Sequence, residues 1–380
     1  MMLTMSLSGS DADDGAGAGI GTVAISGFHT DADAIVTYKR NLGRASINAS
    51  GRSVVRYAPS SETLTTTYDQ GQLAFSMVTA HSRLQASQMV SYSPYYQFGA
   101  LPDATASPIT ETAQSHGDFA NSSLRALGSM TAVDFSRTIN RRDTLSLSYN
   151  LRRTTFGGQN LDLTYQGGGV LFLHQLTRSV NLRAGYGYRS MNSTFTQGGF
   201  AHNHNIDLGL DYNRALGFSK RTTLSFLSGA AATPTEHGTT LHPTGKLALT
   251  RQVGRTWRAN LAVNRSVELL EGFTQPVVMN NGTIDVGGKL SRRASVSASA
   301  AYSMGVVGVD ARDASTYDNW SGTVGLQLML NRWTALETQY SSYQHRFDHG
   351  VELAPGVADG LKRQGLRVSL TWRHWVLPSK

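Results

Sequence analysis

Cysteine is absent from the 380-residue chain, which removes disulfides, thiolate metal sites and cysteine nucleophiles from consideration. Proline is scarce at 9 residues, and no proline-rich or charged linker divides the sequence. One continuous architecture is therefore expected, although the length would accommodate two or three soluble domains of roughly 150 residues each. Charged residues make up only 16% of the chain. No apolar run approaches the ~18 residues of a membrane helix; the longest, GGGVLFL at Gly167–Leu173, has the length of a strand. A chain of this kind that meets a membrane must cross it as a closed β-barrel, the only other structure that satisfies every backbone group in lipid. The sequence also lacks a G-x-S-x-G elbow, an H-E-x-x-H pair and a P-loop, so no catalytic residue is assigned.

What the chain does contain is alternation. In TLSLSYNLRRT, Leu145, Leu147, Tyr149 and Leu151 alternate with Ser146, Ser148, Asn150 and Arg152. Successive side chains of a strand point to opposite faces, so one face is apolar and the other polar. A soluble sandwich and a membrane barrel both produce that pattern, and length separates them. Val180–Arg189, Asn205–Leu216, Thr256–Val267, Ala294–Ser303 and Ser321–Leu330 all reach the ~9–11 residues a transmembrane strand needs, beyond the ~5–6 of an average globular strand.

Connections supply a second discriminator. Short basic turns recur at Arg40–Arg44, Ala80–Arg83, Asn140–Asp143, Leu176–Ser179, Gly217–Arg221, Val253–Thr256, Ser291–Arg293 and Leu330–Arg332, each suited to a hairpin. Longer polar segments fall between them, at Phe98–Ser123, Ser190–Asn203, Gly229–His242, Leu269–Gly282, Gly305–Asn319 and Phe347–Arg363. Short turns on one side and long loops on the other are the plan of a membrane barrel. The hairpins number about 18 strands, or 16 if Gly21–Thr30 and Ala34–Arg40 precede the barrel. The expected fold is thus an all-β antiparallel up-and-down barrel over residues 21–376. Residues 1–20, without a basic n-region or apolar h-region, read as a flexible lead-in, and 377–380 as a short tail.

Aromatics fall at strand ends. Tyr212, Trp257, Trp333 and Trp372 are expected near the turn side, and Tyr92, Tyr188, Tyr302 and Trp320 near the other, forming two interfacial girdles. The opposite parity carries Arg183, Arg189, Asp207, Asp211, Lys246, Arg258, Asp285, Lys289, Arg367 and Arg373, which would line a lumen. Such a basic-leaning wall raises the local concentration of anions; the plainer account is that the charges pair with one another and keep the wall solvated. The glycines at 167–169, 185 and 187 are expected to relieve strand curvature. His202, His204, His237, His242, His345 and His349 lack a fixed third ligand, so no metal is assigned. Basic residues dispersed over many turns fit a nucleic-acid groove poorly.

With these strands, this asymmetry of connections and the last amphipathic strand Gly365–Trp375, followed by Val376–Lys380, the chain resembles bacterial outer-membrane β-barrel proteins, either general porins or uncharacterised barrels of polysaccharide-secretion loci. The resemblance implies outer-membrane lipid and the barrel-insertion machinery as partners, with periplasmic export components, small solutes or an anionic polymer as further ones, and no cofactor. It implies a diffusion or exit channel. A plugged barrel acting as receptor, anchor or assembly partner is the alternative, and a membrane-embedded hydrolase a more remote one.

Overall fold

The computed structural model describes residues 1–14, 27–59, 62–94, 125–157, 161–194, 200–216, 219–235, 238–269, 276–307, 315–347 and 360–375. They form eighteen strands: β1 (Met2–Asp14), β2 (Gly27–Leu42), β3 (Ala45–Ala58), β4 (Thr63–Val78), β5 (Ser82–Ser93) and β6 (Arg125–Thr138). Next come β7 (Asp143–Gly157), β8 (Leu161–Gln175), β9 (Val180–Ser193), β10 (Phe200–Leu216), β11 (Ser219–Thr235) and β12 (Gly238–Val253). The last six are β13 (Trp257–Glu268), β14 (Val277–Lys289), β15 (Ala294–Val307), β16 (Ser315–Met329), β17 (Thr334–Phe347) and β18 (Gly360–Trp375). Every strand pairs antiparallel with its sequence neighbours, and β1 pairs with both β2 and β18, so the 18-stranded sheet closes on itself. Closure gives every strand a paired neighbour on each side over at least part of its length, the condition for a sheet inside a membrane.

Two expectations are corrected. Residues 2–14 are not a lead-in but the closing strand, paired from Met2↔Trp375 to Asp14↔Arg363. The segments Gly21–Thr30 and Ala34–Arg40 are not two strands, because 27–42 is one. The total is unchanged because one stretch was overlooked and another divided. Residues 15–26 and 376–380 lie outside those described.

The turn side is built as its sequence predicts. Connections 43–44, 79–81, 139–142, 176–179, 217–218, 254–256, 290–293 and 330–333 all lie at one end of the barrel. Gly43 has φ 64° at the first central position of a two-residue hairpin, where an L side chain would be strained. Elsewhere the leading side chain of the turn accepts two backbone N–H groups. Asn140 Oδ1 takes those of Arg142 (2.8 Å) and Asp143 (2.9 Å), Ser291 Oγ those of Arg293 (3.2 Å) and Ala294 (3.0 Å), and Asn331 Oδ1 those of Trp333 (2.7 Å) and Thr334 (2.9 Å). This is why a small polar residue followed by arginine recurs at these corners.

The loop side departs from a strict alternation of short and long connections. Residues 94–124, 15–26 and 348–359 are long, whereas 59–62, 158–160 and 236–237 are as brief as the turns. Most of Gly229–His242, expected as a loop, is strand on either side of 236–237.

Candidate functional site: the lumen and its loop-side mouth

Directly paired residues of a closed antiparallel sheet share a face, so the registers sort every strand residue. One face carries Leu7↔Leu370, Leu147↔Val170, Leu247↔Val263 and Leu261↔Ile284, with Leu147 45% and Leu261 48% exposed. The other carries buried polar residues such as Asp31, Asn203 and Ser303, all 0% exposed. Contacts between non-neighbouring strands, such as Arg189–Glu268 and Arg367–Asp31, join residues of this second face, which is therefore the inside. In the Thr144–Thr154 stretch, the leucines and Tyr149 face outward, while Ser146, Ser148, Asn150 and Arg152 face the lumen.

Registers put Arg183, Arg189, Asp207, Asp211, Lys246, Arg258, Asp285, Lys289, Arg367 and Arg373 on the inner face. They do not act as one set. Arg183 lies 2.9 Å from Asp207 and 3.8 Å from Asp211, Arg189 lies 2.6 Å from Glu268, and Arg367 lies 4.0 Å from Asp31. Inner-face pairs outside the expected set join these: Arg52 with Asp33 at 2.8 Å and Arg56 with Asp31 at 2.7 Å. Among the described residues, Lys246, Arg258 and Lys289 make no ion pair. They sit on the neighbouring strands β12, β13 and β14, Arg258 and Lys289 next to the turns and Lys246 near mid-strand, and all three are exposed. Two further inner-face cations near the turns, Lys39 and Arg83, are likewise exposed, with Asp134 among them. Ion pairs thus join charges at several heights of the lumen, Arg183 near the turns included, whereas Lys39, Arg83, Lys246, Arg258 and Lys289 have none among the described residues.

The outer face carries the strand aromatics expected at the two rims. Tyr92, Tyr188, Tyr302 and Trp320 lie toward the loops, the last two directly paired, and Tyr212, Trp257 and Trp372 toward the turns. Trp333 belongs to the 330–333 turn, with the Arg332 guanidinium 4.8 Å from its ring centroid. Trp257 spreads over Gly288, where an added Cβ would come within 2.5 Å of the indole. His202 and His204 also face outward beside Tyr186 and Tyr188, and the Tyr186 hydroxyl lies 2.7 Å from His204 Nδ1. The glycine stretch of β8–β9 faces inward at Gly169↔Gly187, and a Cβ on Gly185 would meet Leu171 and the backbone of Val170, both at 3.0 Å.

The inner wall of the loop-side half is covered at points all round the ring. Asp31, Phe156, Asn203, Val277, Tyr317 and Leu361, spread around the ring from β2 to β18, face inward and are at most 2% exposed. Part of that cover begins at a seam. β12 and β13 pair from Val253↔Trp257 up to Gly245↔Arg265 and no further. Above that point β12 continues with β11 alone, to Thr235↔Gly238, and β13 with β14 alone, to Glu268↔Val277. The top of β13 turns into the lumen. Val267 and Val278 cover Ala231 of β11, Asn203 Nδ2 donates to the Val267 carbonyl at 3.4 Å, and Leu269 is buried among Ala126, Phe156, Leu163, Met191 and Ala201. In a round 18-stranded cylinder, β9 and β13 would stand on the order of 20 Å apart for ~4.8 Å spacing and about 40° of tilt. That exceeds the combined reach of the Arg189 and Glu268 side chains, so their contact requires the wall to bend inward here. Pro243, lacking an N–H, lies in the part of β12 that has become an edge, where proline is tolerated.

Sequence reasoning did not find Asp31, Asp33, Arg52, Arg56, Glu268 or Leu269. The first four carried the same alternation signal as the residues that were found. Leu269 had none, because a side chain tucked across a lumen leaves no periodic trace.

This architecture, a closed up-and-down sheet with an apolar outside, aromatic rims and a polar inside, is the fold of a transmembrane β-barrel of the outer-membrane type. No protein-family model matches the chain and no curated protein matches its sequence. Among solved structures it is similar to Pseudomonas aeruginosa OccK2 (OpdF) in complex with glucuronate, with 9% identity, a TM-score of 0.50 and 98% of both chains covered. It is also similar to the FrpB iron transporter from Neisseria meningitidis (F5-1 variant), with 8% identity, a TM-score of 0.50, and 98% of this chain and 82% of that one covered. What these chains share at such identity is the fold.

Proposed function

We propose that the chain is an integral outer-membrane channel in which solutes diffuse through the barrel interior, with no covalent step and no cofactor. The observation that carries the reading is the closed 18-stranded ring, whose inner face carries polar and charged residues from the turns to the loops while its outer face is largely apolar. A ring of this size is too wide for ordinary wall side chains to fill throughout. Selectivity toward small anions, or segments of an anionic polymer delivered by periplasmic export components, follows from Lys246, Arg258 and Lys289. Cations without a carboxylate partner in a confined lumen lower the barrier for anions. Arg183 and Arg189 contribute less to the field because Asp207, Asp211 and Glu268 offset them.

The test is single-channel recording with reversal potentials in a planar bilayer. The wild-type protein is expected to give discrete steps with anion preference, and Lys246→Gln/Arg258→Gln/Lys289→Gln to move the reversal potential toward cations. Conductance with unaltered selectivity in the triple variant would sink the charge assignment. A second reading, a closed barrel acting as receptor or anchor, draws on the buried inner-face residues of the loop side. Protein that is folded and inserted but passes no current selects it.

A further inference from the structure

The seam between β12 and β13 leaves two unpaired strand edges facing the same gap. Above Gly245↔Arg265, Thr239–Thr244 of β12 has no strand partner on its β13 side among the described residues, and Ser266–Glu268 of β13 has none on its β12 side. Unpaired edges bind other edges readily. Continuing the existing register would oppose Thr244 to Ser266, Pro243 to Val267, His242 to Glu268 and Leu241 to Leu269. The parities agree. In that extension Val267 and Leu269 join the lipid-facing side beside Pro243 and Leu241, and Leu241 is already 66% exposed there. Glu268 and His242 would share the inner face. One segment therefore has two compatible sites: tucked across the lumen, or zipped into the wall.

We infer that the end of β13 is a latch that closes the loop-side mouth when tucked and opens it by zipping onto β12. Four contacts hold the tucked state: the Arg189–Glu268 ion pair, the Asn203 bond to the Val267 carbonyl, Leu269 in its apolar cluster, and Val267 with Val278 against Ala231. The zipped state exchanges them for ladder hydrogen bonds and lipid-facing apolar contact. Pro243 cannot donate to that ladder, which keeps the zipped state from winning outright. Two states that differ by a few contacts are what a gate requires. The inference rests on the channel reading, whose gated path this is.

The chain contains no cysteine, so each state can be locked in an otherwise unreactive protein. Ala201→Cys/Leu269→Cys joins residues of the tucked cluster. His242→Cys/Glu268→Cys joins residues that meet only when zipped, where opposed Cα atoms would be about 4.5–5.5 Å apart, within disulfide range. In planar bilayers, oxidation of the first pair is expected to abolish current, with reductant restoring it. Oxidation of the second is expected to give larger or more frequent openings than its reduced form. Wild-type current that neither lock alters overturns the latch and leaves the channel standing. Failure of the second disulfide to form in folded protein also overturns it. Absence of current in every form, both locks included, removes the channel reading along with the latch. If a cysteine variant does not fold, charge reversal serves instead. Arg189→Glu should raise open probability roughly two- to fivefold, in keeping with a partly exposed pair, and Arg189→Glu/Glu268→Arg should return it to the wild-type level. Equal openings in all three proteins contradict the latch.

Discussion

Leu147 and Ser148 are one residue apart and face different solvents. Because Leu147 pairs with Phe135 and Val170 on the outside, while Ser148 pairs with Asp134 and Gly169 on the inside, the same new charge has opposite consequences at the two positions. Leu147→Arg is expected to destabilise the folded barrel by up to roughly 2–4 kcal/mol, the cost of arginine near the bilayer mid-plane. Ser148→Arg should change stability little. Urea unfolding from lipid vesicles measures both, and equal costs would mean that the two faces are misassigned. Crowding sets a second limit. The Tyr317 ring lies against Gly305 so closely that an added Cβ would overlap it. Gly305→Ala should therefore cost about 1–3 kcal/mol, as overpacking does, whereas Gly282→Ala, with nothing within 4 Å of the new carbon, should be tolerated.

At the scale of elements, turns and strands were not equally readable. The tight connections could be located because their chemistry is local: a polar side chain two or three residues ahead of the backbone groups it binds, or a glycine at positive φ. Asn331→Ala removes both acceptor contacts of the 330–333 turn. At roughly 1 kcal/mol each net of water, the variant should lose up to about 2 kcal/mol in the same unfolding assay, while Asn331→Asp retains most of it. β1 was misread for an equally physical reason. Leu3, Met5 and Leu7 alternate with Thr4, Ser6 and Ser8, but Gly9 and Asp11 then occupy outward positions and the apolar period stops. What holds the strand is its ladder to β18, separated from it by nearly the whole sequence. Deletion of residues 2–14 should accordingly prevent closure between β18 and β2. The expected sign is loss of the compact, heat-modifiable band on gels; a deletion variant that retains it would show that β1 is dispensable.

At the scale of the whole molecule, the sequence by itself determined the class of fold, while its strand total agreed only because one strand was overlooked and another divided. The class follows from a period of two repeated along one chain, and that period survives in the sequence because neighbouring strands pair in order. Only the tertiary structure decided how the ring closes, which wall charges are cancelled and whether the mouth is clear. Arg189 and Lys246 are alike as sequence, each a cation on the inner parity of a strand. Glu268 meets one and not the other because the wall bends inward between β9 and β13. That bend originates where β12 and β13 stop pairing, a choice between two edges of similar composition that no local pattern records. Contacts across a lumen join residues whose separation along the chain has no period, so they exist only once the barrel has closed.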